Sequence, residues 1–239
     1  MSENNLIFAS ASFHPNRKSI ISKRKDLLQR EEDYLFCIKQ LLRVVPKNFE
    51  IYIVDNTIKN SDSLLNTDLK NLLNNLNVLY SPDPSPNETK NIGVGELKEL
   101  FHLENTIDFN KYSKICYLTS RRFITNPYVF EKTDQLRKEA LLSNPDFIYL
   151  DGEVIPSEKK GMFNDMFFAM KSKTMQEYIS FSKERIDYLD ENLINSETNL
   201  YDFITEFNIS SEYLMFLGFF RYDYYRKNSK ENKHKYHFV

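Results

Sequence analysis

Short β-prone apolar runs alternate with longer stretches of helical spacing from residue 5 to about residue 155, and few architectures accommodate that order. "NLIFASASF" is the first run and ends at the loop sequence His14-Pro15-Asn16. Apolar residues then recur at helical spacing over about 19–45, with Pro46 just past the end. "FEIYIVDNT" is a continuous apolar run stopping at Asp55-Asn56-Thr57, as expected of a strand covered on both faces. Further helical patterns are "LLNTDLKNLLNNLN", "GELKELFHLEN", "NPYVFEKTDQLRKEALLSN" and "NSETNLYDFITEF"; further strands are "VLYS", "YSKICYLTS" and "DFIYLDGEV". "MFFAMKSKTMQEYISFSKERIDYLDENL" reads as an extended start continuing into a helix. The expectation is an α/β, Rossmann-like fold, a mostly parallel sheet flanked by helices, with a helical C-terminal extension. Residues 1–207 form the main domain in this reading, and 208–239 an aromatic and basic extension packed on it.

Composition narrows the partners. The formal charge is -2, from 32 Lys plus Arg against 34 Asp plus Glu, so no nucleic-acid partner is expected. Cys37 and Cys116 lie in apolar segments without metal-ligand spacing and read as buried, reduced thiols. The four histidines show no convergent spacing for zinc. The N-terminus lacks a basic region followed by a long apolar one, and no apolar run approaches the ~18 residues of a spanning helix, so a cytoplasmic location is expected. The tail "FFRYDYYRKNSKENKHKYHFV" mixes aromatic and basic residues; it suits contact with anionic headgroups at the inner membrane face, or a solvated terminus packed back on the domain.

Ligands of open α/β sheets bind beyond the carboxyl ends of the strands. The polar groups expected there are Ser10-Ala11-Ser12, Asp55-Asn56-Thr57, Ser120-Arg121-Arg122 and Asp151-Gly152-Glu153. "NETKNIGVGE" adds two of the chain's five glycines, two residues apart, where a turn or a close backbone approach is needed. Singly, such residues often end strands and cap helices.

Strand, helix, strand ending in Asp55, helix, strand and then Lys90-Asn91-Ile92-Gly93 opening a helix resembles a GT-A glycosyltransferase. The resemblance implies that Asp55 holds the base of a nucleotide sugar and that Lys90, Asn91 and Gly93 approach the donor, Gly95 easing helix packing. The Asp-x-Asp that holds Mg²⁺ or Mn²⁺ in that family is replaced by Thr119, Ser120 and Arg121. A Ser/Thr-x-Arg motif at this place resembles some bacterial polysaccharide (capsule or O-antigen) glycosyltransferases, and arginine neutralises diphosphate charge without a cation. "NDMFFAMKSKTMQEYI" resembles a segment beside the acceptor pocket of such enzymes, and Glu197 in "NSETNLYDFI" resembles their acid.

The expected site is therefore Ser10, Asp55, Asn56, Lys90, Asn91, Gly93, Ser120 and Arg121 for the nucleotide donor. Glu197 and Asp165 are the candidate catalytic acids, and Asp151 and Glu153 a candidate displaced Mg²⁺ or Mn²⁺ site. The implied partners are a nucleotide-sugar donor and a glycan or lipid-linked glycan acceptor. Two other readings stand beside glycosyl transfer: a catalytically silent domain of the same fold that binds a glycan or protein, and a nucleotidyltransferase.

Overall fold

A computed structural model describes residues 4–15, 27–81, 91–143, 147–150, 153–156, 163, 167–214 and 219–221. Seven strands form one sheet in the order β10-β6-β9-β4-β1-β2-β3. They are β1 (Asn5–Ala11), β2 (Phe49–Asp55), β3 (Asn77–Tyr80), β4 (Lys114–Thr119), β6 (Ala140–Ser143), β9 (Phe167–Lys171) and β10 (Ser211–Leu214). β9 runs antiparallel between β4 and β6, and every other neighbouring pair is parallel. β6 and β10 therefore point the same way as β4.

Side chains along each strand alternate between two cores, as the pleat requires. Ile7, Ala9, Cys116, Leu118, Phe167 and Ala169 face one core, with α1 (Leu27–Val44), α2 (Thr67–Leu73) and α4 (Tyr128–Asp134). Leu6, Phe8, Ile115, Tyr117, Phe168 and Met170 face the other, with α3 (Ile92–Thr106), α5 (Ser172–Glu191) and α6 (Ser196–Glu206). Asparagine starts three of the helices: Asn66, Asn91 and Asn195 accept from Leu69, Gly93 and Thr198 backbone N–H groups respectively. Cys37 and Cys116 are buried and not joined in a disulfide, and burial pushes the Cys116 thiol up to about 12. Among the described residues, no helix is long and apolar enough to cross a membrane.

The structure divides two stretches that the sequence presents as single elements. The helix expected through "NPYVFEKTDQLRKEALLSN" ends at Asp134, and Ala140–Ser143 become β6, buried at all four positions. "DFIYLDGEV" folds back as β7 (Phe147–Leu150) and β8 (Glu153–Pro156), paired antiparallel with Leu150 opposite Glu153. Residues 211–214, assigned from sequence to the C-terminal extension, form β10 at the edge of the central sheet. β5 (Arg122–Ile124) and β11 (Phe219–Arg221) make a separate antiparallel pair with Arg122 opposite Arg221. The tail from residue 222 onward lies outside the described residues.

Candidate functional site

From β1 the sheet grows through β2 and β3 on one side and then, across a crossover, through β4 on the other. Adjacent connections diverge between the carboxyl ends of β1 and β4, which is where a sheet of this kind opens a crevice. Ser10 and Ser120 meet there. The Ser120 backbone N–H and hydroxyl both donate to the Ser10 carbonyl, at 2.9 and 2.6 Å. The Ser10 hydroxyl donates to Glu99 Oε2 on α3 at 2.5 Å. Glu99 is almost wholly buried and also bonded by the Asn56 backbone. Burial raises its carboxyl well above the ordinary value; the Ser10 bond opposes this, and the charges of Asp55 and Glu96 reinforce it. The Ser120 hydroxyl is thus committed to joining the strand ends, and the Ser10 hydroxyl to tying β1 to α3.

Asp55 ends β2, fully buried, with both carboxylate oxygens engaged. It accepts from the backbone N–H groups of Phe13 (2.7 Å), Thr57 (2.7 Å) and Ile58 (2.9 Å), and from the Thr57 hydroxyl (2.9 and 3.1 Å). Burial raises its pKa while these bonds pull it back. In this arrangement Asp55 ties the loop after β1 to the loop after β2. Asn56 is buried beside it and donates to the Gly95 carbonyl at 3.1 Å.

The Asn91-x-Gly93 element faces its own protein. Asn91 Nδ2 donates to the carbonyls of Leu189 (3.1 Å) and Ile194, bolting the start of α3 to the connection between α5 and α6. A Cβ on Gly93 would lie 2.4 Å from the Ser196 backbone nitrogen, so glycine here admits the N-terminus of α6. The close approach that the sequence suggests is real, and its described partner is a helix. Lys90 lies outside the described residues.

Arg121, in the turn after β4, is half-buried, and its guanidinium lies 5.7 Å from the Tyr34 ring centroid. Arg30, buried on α1, flanks the same ring at 5.4 Å. Arg30 Nε donates to the Ser12 carbonyl at 2.7 Å, and the Ser12 N–H donates to the Tyr34 hydroxyl at 2.8 Å, locking the loop after β1 onto α1. Next to them, His14 Nε2 pairs with Glu31 Oε1 at 2.5 Å; Glu31 also accepts the N–H groups of Leu65 and Asn66. Among the described residues Arg121 makes no hydrogen bond or ion pair. Two permanent cations on one tyrosine, one of them without a hydrogen-bond partner among the described residues, can attract and chelate an anion at the switch point.

Arg30, Tyr34, the His14–Glu31 pair and Glu99 were not among the residues singled out from sequence. Arg30 and Tyr34 are one helical turn apart, a spacing that reads as ordinary amphipathic helix until the loop after β1 is seen on top of it.

Glu197 lies in the first turn of α6, half-buried, where its Oε2 accepts from Asn195 Nδ2 at 2.9 Å and its carbonyl accepts from the Phe163 N–H at 3.4 Å. Asp165 and Asp151 lie outside the described residues, and of Glu153 only the strand backbone is described. Among the described residues no three His, Cys, Asp or Glu side chains cluster as metal ligands. Among the described residues, the side chains at the β4 end are a committed serine, a threonine and an arginine, with buried Glu99 behind them. Serine, threonine and arginine do not supply the anionic oxygen ligands that Mg²⁺ and Mn²⁺ take.

No protein-family model and no curated protein matches the chain. Solved structures do resemble it. The inositol-1-phosphate CTP transferase from T. maritima aligns over 90% of this chain and 86% of its own, at 10% identity and a TM-score of 0.51. A protein from Desulfovibrio desulfuricans G20 assigned as a nucleotide-diphospho-sugar transferase aligns over 90% and 80%, at 9% identity and a TM-score of 0.50. The 4-diphosphocytidyl-2C-methyl-D-erythritol synthase from Anaerococcus prevotii DSM 20548 aligns over 90% and 89%, at 12% identity and a TM-score of 0.48. The likeness is one of fold: in this chain a seven-stranded, mostly parallel sheet lies between two helical layers.

Proposed function

We propose that the protein is a glycosyltransferase that moves a sugar from a nucleotide-diphosphate donor to a glycan acceptor, in the synthesis of a surface polysaccharide. The observation that carries this reading is Arg121: a half-buried arginine with no hydrogen-bond partner among the described residues, at the switch point of a sheet whose fold is shared with nucleotide-handling transferases. In the transfer, the bond from the anomeric carbon to the diphosphate breaks, its electron pair leaves with the nucleotide, and a bond to the acceptor oxygen forms. Negative charge grows on the leaving diphosphate, so a preorganised guanidinium stabilises the transition state more than the ground state. Arg121 supplies the hydrogen bonds and Arg30, bonded to Ser12, adds fixed positive charge behind it. The acceptor hydroxyl must lose a proton, and Glu197 is the described carboxylate assigned to take it. Lys90 adds a second donor contact by its resemblance to the family motif.

Nucleotidyl transfer is the second reading, favoured by the similarity to the T. maritima CTP transferase. It places the same nucleotide phosphates against Arg121 but releases pyrophosphate.

A thermal-shift panel separates these readings, using nucleoside diphosphates, nucleotide sugars and nucleoside triphosphates, each with Mn²⁺ and with EDTA. A ligand at about 100 times its Kd adds roughly 2.7 kcal/mol, or about 5–10 °C for a chain of this size. A diphosphate or its sugar conjugate that stabilises in EDTA, and loses about tenfold or more in affinity in Arg121→Ala, supports the proposal. A preference for a triphosphate moves the assignment to nucleotidyl transfer. No response to any nucleotide, or a response indifferent to Arg121→Ala, overturns both.

A further inference from the structure

Along the same edge of the sheet, away from Arg121, three aromatic rings pack together beside α6, the helix that carries Glu197 in its first turn. Phe163 is buried at 4% exposure, packs 5.4 Å from the Tyr201 ring and 6.3 Å from Tyr213, and donates its N–H to the Glu197 carbonyl. Tyr201 follows Glu197 by one helical turn on α6, so the two share a face. Tyr213, on β10, is 50% exposed. Among the described residues neither Tyr201 nor Tyr213 has a hydrogen-bond partner for its hydroxyl. The cluster thus combines one buried ring with two partly exposed rings whose hydroxyls have no partner among the described residues, next to the start of α6.

The cluster is continuous with the switch point through α3. Glu99 of that helix holds Ser10 of β1, and Glu96, one turn earlier, accepts the Ser196 hydroxyl at the start of α6. One turn of helix rises about 5 Å, so the two junctions sit close together. Across the sheet, β10 is three strand spacings from β4, which at about 4.8 Å each is about 14 Å.

We propose that Tyr201 and Tyr213, seated on Phe163, form a subsite for a pyranose ring of the acceptor, and that the acceptor is an oligosaccharide chain rather than a single sugar. A pyranose presents an apolar C–H face and a rim of hydroxyls; an amphipathic tyrosine surface offers a ring to the first and an O–H to the second. The separation from Arg121 sets the size. A ring stacked at Tyr213 on β10 stands three strand spacings from β4, a span that one sugar ring does not bridge and that a chain running past Glu197 does. This inference rests on the glycosyltransferase reading and adds the class of acceptor to it.

Saturation-transfer NMR on the full chain tests it, with methyl hexopyranosides and a set of neutral oligosaccharides as probes and the stabilising nucleotide present. The expected result is stronger transfer to oligosaccharides than to methyl glycosides, concentrated on C–H protons of one ring face. Tyr213→Ala, at a half-exposed position, should weaken oligosaccharide binding about tenfold, and Tyr201→Phe, which keeps the ring, severalfold. Both variants should keep the wild-type thermal shift with nucleotide. Loss of that shift in the wild type would sink the transferase reading itself. With the shift intact, no transfer to any sugar, or transfer unchanged by Tyr213→Ala, overturns the subsite alone.

Discussion

Replacing Gly93 by alanine tests whether the glycine motif serves the fold or the ligand. The added Cβ would sit 2.4 Å from the Ser196 backbone nitrogen, 2.9 Å from its Oγ and 3.1 Å from its Cβ. Reaching an ordinary contact of 3.4 Å requires the helices to part by about 1 Å, since no side-chain rotation moves a backbone nitrogen. That movement strains the Ser196–Glu96 hydrogen bond and the Asn91 bonds to Leu189 and Ile194. Overpacking of this kind costs about 1–3 kcal/mol, and the better helix propensity of alanine returns at most about 1 kcal/mol. With the closest clash at 2.4 Å from a backbone atom, the cost falls in the upper part of that range, and a net loss of about 1–2 kcal/mol lowers Tm by about 2–8 °C in a chain of this length. Urea titration should show a lower midpoint with an unchanged slope. Ser196→Gly in the Gly93→Ala background removes the Oγ and Cβ contacts but leaves the closest one, so it should recover less than half of the loss. Full recovery, or a Gly93→Ala protein as stable as wild type, refutes the packing argument. Unchanged stability with nucleotide binding abolished would return Gly93 to donor contact.

Two further outcomes follow from burial. The Glu99 carboxyl is raised well above its reference value of 4.5, so the folded chain keeps a proton over a pH range in which the unfolded chain has released it. Stability from this group is present below the unfolded value and declines as pH rises through the window above it. Glu99→Gln removes that dependence and can still accept from Ser10, so its Tm relative to wild type should rise as pH is taken above the reference value of 4.5; a constant difference would show that Glu99 is ionised in the fold. Neither Cys37 nor Cys116 should react with a thiol reagent in the native protein, because both are buried and the Cys116 thiol is pushed up to about 12, while both should react in denaturant. Fast labelling of either in the native state would contradict their placement.

The layered fold was legible because the strands are near-continuous apolar runs and the long helices carry clear periodicity. β6 escaped because four buried residues after a charged stretch satisfy a helical pattern as well as a strand pattern, and only its pairing with β9 and β10 decides. The Asn91-x-Gly93 element was legible as a helix start, but its crowding partner Ser196 is about a hundred residues away in the chain. Asp55 was legible as a strand end. That its carboxylate is saturated by Phe13, Thr57 and Ile58 depends on how two loops cross, which no local pattern records. Arg121 stood out from sequence by the acids it replaces, whereas Arg30 and Tyr34 acquire their meaning only when α1 packs under the loop after β1.

The direction of β1 bears on how binding to this protein should be measured. The strand enters the sheet at Asn5 and reaches the switch point only near Ser10 and Ala11, six residue steps or about 20 Å further on. β11, by contrast, pairs antiparallel with β5 and brings the chain back to Arg221, opposite Arg122 and next to the turn that holds Arg121. A biotin or surface anchor before Asn5 therefore leaves from the side of the sheet remote from the proposed anion site. An attachment beyond Arg221 extends a segment that sets out beside that proposed site. Immobilised tests of the proposed nucleotide binding belong on the amino-terminal anchor, and a difference between the two orientations would report on which edge of the sheet is involved.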